Sequence, residues 1–440
     1  MTGHSKRTLE TLRTFESRNV TFMDPDGSWP IVWARAQGTQ VWDADGRRYL
    51  DLTAAFGVAA AGHANRRVVR AAQRQMPILL HAMGDVHPHA LKAELAATLS
   101  ELTFGRWTAA ARRPVHGKVI LGNSGFEAVE AALKTARLAT GRREVIAFEG
   151  GYHGLGYGAL NVTQRGHFRD SFRDQLSEFG HFIPYPSCRR GLEEMDNKIR
   201  RRAARGRVGA ILVEPIQARG GIRVPVVGFL KRLRKLANDL GCLLILDEIY
   251  TGFGRTGRWF ATEHSGVIPD LICLGKGLTG GFPLSACVGR APLMDGAWPE
   301  STGEAIHTST FLGHPVGCAM ALAQIMEIRT RNLVERAGQT GDFFRQELGT
   351  HLAGDFAWGS VRVCGMGLML GVELLDRRGW PATELALRSM KSLLHRGFIL
   401  LPEGEHGNVL GLTPPLTISR AEVTSAARAL STVLREVGAP

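Results

Sequence analysis

The chain has 440 residues, 44% hydrophobic and 22% charged, with a formal net charge of +13. That is ordinary globular composition, with no apolar run of the ~20 residues that span a bilayer and no apolar core of a secretory signal near the N-terminus. A cytoplasmic enzyme-sized protein of two or three domains is expected, and a membrane protein is not.

Six scattered cysteines, none in a CxxC pair, indicate neither a zinc site nor a disulfide framework, and no metal is expected. The basic balance raises nucleic acid as a partner. Much of it lies in KIRRRAARGR, from Lys198 to Arg207. No aromatic residue interleaves with these arginines to stack a base, so a solvated helix face is the preferred reading and no nucleic acid is expected.

In chain order, the first element is a hairpin, TQVWDADGRRYLDL, which turns at Asp45-Gly46 between two alternating arms. Helical patterns follow from Arg66 to Leu79 and from about Leu91 to Leu102. From Lys118 the pattern changes. KVILGN, EVIAFEG, GAILVEP, CLLILDE, LICLGK and SACVG are short apolar runs, and SGFEAVEAALKTARLATG is a helix ending at Gly141. Strands separated by helix-length segments predict a largely parallel sheet covered on both faces. Such sheets bind ligands at the carboxyl ends of their strands.

Helices near Gly317 to Thr330 and Leu333 to Leu348 come next. Strand-like GLMLGVELL, a helix from Thr383 to His395, GFILLP, NVLGLTPPL and a helix from Arg420 complete the chain. This reads as a smaller α+β domain against which the N-terminal hairpin packs. The predicted division is 1–70 as an N-terminal part of the small domain, 71–325 as the large domain, and 326–440 as the C-terminal small domain.

The apolar runs end on residues with chemical content. Ser124 opens a helix with Glu127 three residues on, a capping box. The free N–H groups there suit a phosphate, with Gly125 admitting close approach; a plain helix cap explains the same residues. Asp247 ends CLLILD, where a buried carboxylate needs a partner, either a protonated ring nitrogen or an ordinary salt bridge. Lys276 lies between Gly275 and Gly277. It is either an amine that desolvation makes nucleophilic towards aldehydes or a loop lysine. Tyr152 and His153, in FEGGYHG, offer a ring to stack on a flat cofactor, or simple packing. Each signal is modest, but in order at the strand ends of one sheet they form a complete set for pyridoxal phosphate (PLP).

With these residues the chain resembles the class III aminotransferases, in the fold type I group of PLP enzymes. The likeness runs from about Val32 to Ile418. It rests on GTQVWDADGRRYLDLTAAFGVAAAGH, NSGFEAVEAALKTAR, FEGGYHG, VEPIQ, LILDEIYTGFGRTG, PDLICLGKGLTGGFPLSA and HTSTFLGHP. The resemblance implies an α/β fold whose large domain holds a mostly parallel seven-stranded sheet covered by helices, beside a smaller α+β domain built from both termini. It implies transfer of an amino group between an amine or amino acid and a carbonyl acceptor, through a Lys276 Schiff base and pyridoxamine phosphate. By position, Asp247 would pair with the ring nitrogen, and Ser124, Gly125 and Phe126 would bind the phosphate. Tyr152 and Ile249 would cover the two ring faces, with His153 and Glu214 behind them. Thr310 would reach the cofactor phosphate of the other subunit in a homodimer with shared active sites. Trp33, Phe56, Val58, Asp85 and Tyr250 would line the substrate pocket by analogy.

Two positions depart from the family. EPIQARGG has Arg219 where the family usually has a glutamate, and GLTPPL has Gly411 where it often has an arginine. In the family that arginine commonly grips a substrate α-carboxylate, and the glutamate pairs with it when the other substrate is present. With both changed, Arg219 either supplies the carboxylate fork from the other side or faces solvent. The loss also admits a one-substrate reaction on the same fold, so an amino-acid racemase or epimerase, or an aminomutase, is the alternative function.

Overall fold

The computed structural model describes residues 3–25, 27–354 and 356–438. Near the N-terminus, β1 (Trp33–Gln37), β2 (Gln40–Asp43) and β3 (Arg48–Asp51) form an antiparallel meander. The Asp43 carboxylate accepts the turn N–H groups of Asp45 and Arg47 at 3.0 and 2.8 Å. Gly46 supplies the positive φ, 84°, that the turn requires. The following helix, Arg66–Gln75, stops short of the predicted end: Met76 is still helical and donates its N–H to the Ala72 carbonyl, but Pro77 has no N–H to continue the ladder.

The central sheet is built from β4 (Gly117–Gly122), β5 (Glu144–Phe148), β6 (Gly180–Ile183), β7 (Val208–Val213), β8 (Leu243–Asp247), β9 (Leu271–Leu274) and β10 (Ser285–Arg290). Its spatial order is β4-β10-β9-β8-β7-β5-β6. From β6 to β9 all pairings are parallel, and β10 is antiparallel to both β9 and β4. β5, β7 and β9 are buried along their whole length, as expected of strands covered on both faces. The helix Gly125–Thr140 lies against this sheet and ends at Gly141, at φ 66°.

The rest of the chain adds β11 (Gly359–Met366), β12 (Met369–Asp376), β13 (Phe398–Ile399), β14 (Leu401–Glu403) and β15 (Val409–Leu412). An antiparallel sheet of order β11-β12-β15-β14 results. β13 instead pairs in parallel with β3, so residues from both ends of the chain share one sheet. A single apolar cluster joins Leu50 and Leu52 to Ile325, Leu370, Leu412 and Leu430. The basic stretch lies on the helix Arg189–Ala203 and just beyond it. Arg200 pairs with Asp196 and Asp239, and Arg202 and Arg207 pair with Glu144, which compensates much of its charge. Among the described residues no helix is long and apolar enough to cross a membrane.

Candidate active site

The carboxyl ends of β4, β5, β7, β8 and β9 open onto one cavity of about 420 Å³. Ser124, after β4, caps the helix Gly125–Thr140. Glu127 takes the Ser124 N–H on its carboxylate (3.3 Å) and donates its own N–H to the Ser124 carbonyl (3.1 Å). The Ser124 hydroxyl is buried without a hydrogen-bond partner among the described residues. A Cβ at Gly125 would lie 3.0 Å from Ile249 Cδ1, and one at Gly275 would lie 3.3 Å from Ile249 Cγ2. The two glycines therefore let Ile249, just past β8, sit between the start of the helix and the lysine loop.

Lys276 follows β9 at φ 40°, a left-handed conformation that costs a residue other than glycine about 1–3 kcal/mol. Its Nζ lies 4.7 Å from the centroid of the Tyr250 ring. Burial lowers its pKa, against the opposing charges of Asp247, Glu214 and Glu403. Asp247 closes β8 in a buried position. Its Oδ2 accepts from His153 Nδ1 at 2.7 Å and its Oδ1 from the Ile249 N–H at 3.1 Å. Burial alone would lower the pKa of His153, but the hydrogen bond and charge of Asp247, with Glu214, leave it raised. Glu214, after β7, accepts from the N–H groups of Tyr152 and Ala218, both at 3.0 Å. Burial pushes its carboxyl up to about 7.

The cavity wall thus brings together Ser124, Gly125, Phe126, Tyr152, His153, Glu214, Asp247, Ile249, Tyr250, Arg219 and Lys276. The Tyr152 ring stands edge-on to Phe168 at 5.4 Å, and the Tyr250 hydroxyl meets Thr413 Oγ1 at 3.1 Å. Trp33, Phe56 and Thr310 are exposed and lie outside this wall. Trp33 packs edge-on to His63. Phe56 sits in a left-handed stretch, Ala54 to Phe56, and the neighbouring Gly57 abuts Tyr250, where a Cβ would come within 3.1 Å of the ring.

Sequence reasoning missed Glu403. It ends β14 opposite Val409 of β15, with its side chain reaching over Gly411, and its Oε2 lies 3.5 Å from Arg219 Nη1. Burial pushes its carboxyl up to about 7, opposed by the nearby Arg219, Arg165 and Lys276. An acid closing the apolar run GFILLP is the signal that was there to read.

The family described as aminotransferase class-III matches residues 22–434. The chain belongs to the class III aminotransferases, and it is a PLP-dependent aminotransferase of the fold type I architecture. It is 36% identical to an acetylornithine aminotransferase of Methanosarcina mazei, over 92% of this chain and 91% of that one. It is 35% identical to a leucine/methionine racemase of Thermococcus litoralis, over 89% and 87%. Among solved structures it is similar to the ornithine aminotransferase of Toxoplasma gondii, in which PLP partly occupies the active site. That match has a TM-score of 0.83 and 29% identity, covering 98% of this chain and 94% of that one.

Proposed function

We propose that Lys276 carries the cofactor and relays the proton of amino transfer, with Asp247 facing the ring nitrogen. The observation that carries this is the meeting of a half-buried amine and a buried carboxylate, from the ends of the adjacent strands β9 and β8, in one cavity. PLP, when bound, supplies an aldehyde that condenses with amines and a ring that withdraws electrons from the bond to be broken. The site fits it: the unpartnered Ser124 hydroxyl and the N–H groups opening the helix Gly125–Thr140 suit its phosphate. Phe126 stands beside them, and Tyr152 and Ile249 are the groups to cover the ring. His153, fixed on Asp247, and Glu214, fixed on two N–H groups, hold these in place. The lowered pKa of Lys276 leaves more of its Nζ unprotonated, so it can add to an aldehyde and later move a proton as general base and acid.

Borohydride reduction of the PLP-loaded protein, then peptide mapping, is expected to find the cofactor on Lys276. Attachment at Lys134 or another lysine would overturn the assignment. Arg219, on the wall, is the group for a substrate carboxylate, and Phe56, Trp33 and Tyr250 are the further pocket residues.

The protein is read as a cytoplasmic homodimer with shared sites. Ile78, Leu80, Met83 and Val86 are exposed, as are Ile306 and Phe311 beside Thr310. His81 packs on Phe311 and Asp85 bonds Thr308, which joins the two segments into one exposed apolar surface. Thr310 at its edge would serve the other subunit's cofactor phosphate. A fully active monomer in sedimentation would discard this. The shared β3–β13 sheet supports a small domain from 1–70 and 326–440 beside a large domain of 71–325.

The similarity to a leucine/methionine racemase supports a second reading, racemisation or aminomutation by the same residues. Chiral analysis of the products from a panel of amino acids, with and without a keto acid acceptor, separates the two.

A further inference from the structure

Glu403 has no part in the chemistry above, and its place in the fold is unusual. The side chain is 4% exposed, and its Oε2 has no hydrogen-bond partner among the described residues. Arg219 stands 3.5 Å away, outside the ~2.7–2.9 Å of a charge-assisted hydrogen bond. The guanidinium itself makes no hydrogen bond among the described residues. A buried oxygen without a donor is costly, while the partly exposed guanidinium keeps its donors free for another acceptor. Side by side at a cavity wall, they form a loose pair that a third group can enter. Gly411 makes room for this arrangement, since a Cβ there would lie 3.0 Å from Glu403 Cγ. The charged and titratable groups around Glu403 are Arg219 and Glu214 beyond β7, Arg165 beyond β5, Lys276 beyond β9 and Tyr250 beyond β8.

We propose that Glu403 is a positioning residue that sets how strongly Arg219 binds a substrate carboxylate, and so how sharply the site prefers carboxylate-bearing amines to carboxylate-free ones. This rests on the role proposed for Arg219. Ionised, Glu403 holds the guanidinium at the wall and takes up part of its charge, so a substrate carboxylate must share the cation with a second anion. With a proton on Glu403, the whole charge faces the substrate. Burial brings that ionisation to about 7, so both states are reached near neutrality.

The test uses the PLP-loaded enzyme and reads the change in cofactor absorbance on mixing with a donor. Two donor pairs differ by one carboxylate: L-alanine against ethylamine, and 5-aminopentanoate against butylamine. The measured quantity is the ratio of half-saturating concentrations within each pair, in which effects common to all amines cancel. In the parent enzyme, the preference for the carboxylate is expected to fall as pH rises from about 6 to 9, by at most about tenfold per pH unit. Glu403→Gln is expected to raise the preference about tenfold at pH 8 and to make it independent of pH. Glu403→Asp, which keeps the charge, should keep the pH dependence and serves if the Gln variant fails to fold.

A parent ratio that does not vary with pH would overturn the proposal. So would a Gln variant that shifts both members of each pair by one factor. Arg219→Ala is read separately. If it leaves the ratio at the parent value, the role of Arg219 itself fails. If it abolishes the preference while pH and Glu403→Gln do nothing, only the role of Glu403 fails.

Discussion

Asp247→Asn is the substitution that isolates charge from shape. In the folded protein, Asp247 spends one oxygen on His153 Nδ1 at 2.7 Å and the other on the Ile249 N–H at 3.1 Å, and both side chains are almost wholly buried. Asparagine fits the same space but has one acceptor oxygen, so one of these two bonds is lost or becomes an N–H facing a donor. Loss of a hydrogen bond to a buried charged group costs about 1.5–3 kcal/mol of stability. The catalytic cost is larger, because a preorganised charge facing the reacting system is removed. Single groups of that kind are worth about 2.7–4 kcal/mol, or roughly 10²–10³ in rate. A half-reaction followed by cofactor absorbance measures the rate, and cofactor retention is read from the same spectra. Turnover within about threefold of the parent, far inside that range, would refute the role given to Asp247. Thermal melts supply a second check. Because Asp247 raises the pKa of His153, the protonated ring stabilises the fold below its ordinary value of 6.5, and that stability is lost as pH rises through the raised one. The asparagine variant should lose this contribution.

Arg219→Ala should weaken amino-acid donors by about 2–5 kcal/mol, the cost of truncating one partner of a charge pair. The lower end is expected because the side chain is 28% exposed; equal kinetics on every amino-acid donor would discard the role. Asp270→Asn is a structural control. This buried carboxylate meets Arg234 at 2.7 Å, bonds Arg290, and accepts the Leu244 N–H at the start of β8. Its loss should cost about 3–5 kcal/mol in urea denaturation, and a cost below about 1 kcal/mol would contradict the pairing. Glu214 and Glu403 are each pushed up to about 7 from 4.5, so the native state keeps protons that the unfolded chain releases. Their contribution to stability is full below about 4.5 and lost as pH rises through about 7, so Tm should fall between pH 5 and 8. A Tm that is flat or rising over that interval would count against this, and Glu403→Gln should reduce the slope.

The parts of the fold that were legible in the sequence are those that bury both faces of a strand. β5, β7, β8 and β9 are continuous apolar runs, and the residues just after them proved to be the cavity wall. The strands that were missed carry no such run. β6, GHFI, lies at the edge of the central sheet, and β11, GSVRVCGM, alternates polar and apolar residues on a half-exposed face. The sequence pattern carries the helix after Asn65 past Met76, where apolar residues continue, whereas Pro77 lacks the N–H that would extend it. Within the site, Lys276, Asp247 and Ser124 were readable because each has a local signature. Glu403 leaves only a faint signal, an acid closing GFILLP, because its meaning depends on Arg219, which folding alone brings near.

That partnership changes the charge accounting of the pocket. Read from sequence, Arg219 is a lone cation, either an open carboxylate fork or a side chain facing solvent. In the folded chain it faces a buried acid, and the wall is close to neutral until a substrate or a proton arrives. Such a pair is a poor way to stabilise a protein, since replacing a buried ion pair with well-packed apolar residues is often neutral or stabilising. A pair left 3.5 Å apart, with one oxygen unsatisfied, does less for stability still. Its position on the cavity, rather than in the core, gives that cost a reason. Arg219, Gly411 and Glu403 then belong together: Glu403 occupies the space that Gly411 leaves and, on the role proposed above, sets the charge that Arg219 presents.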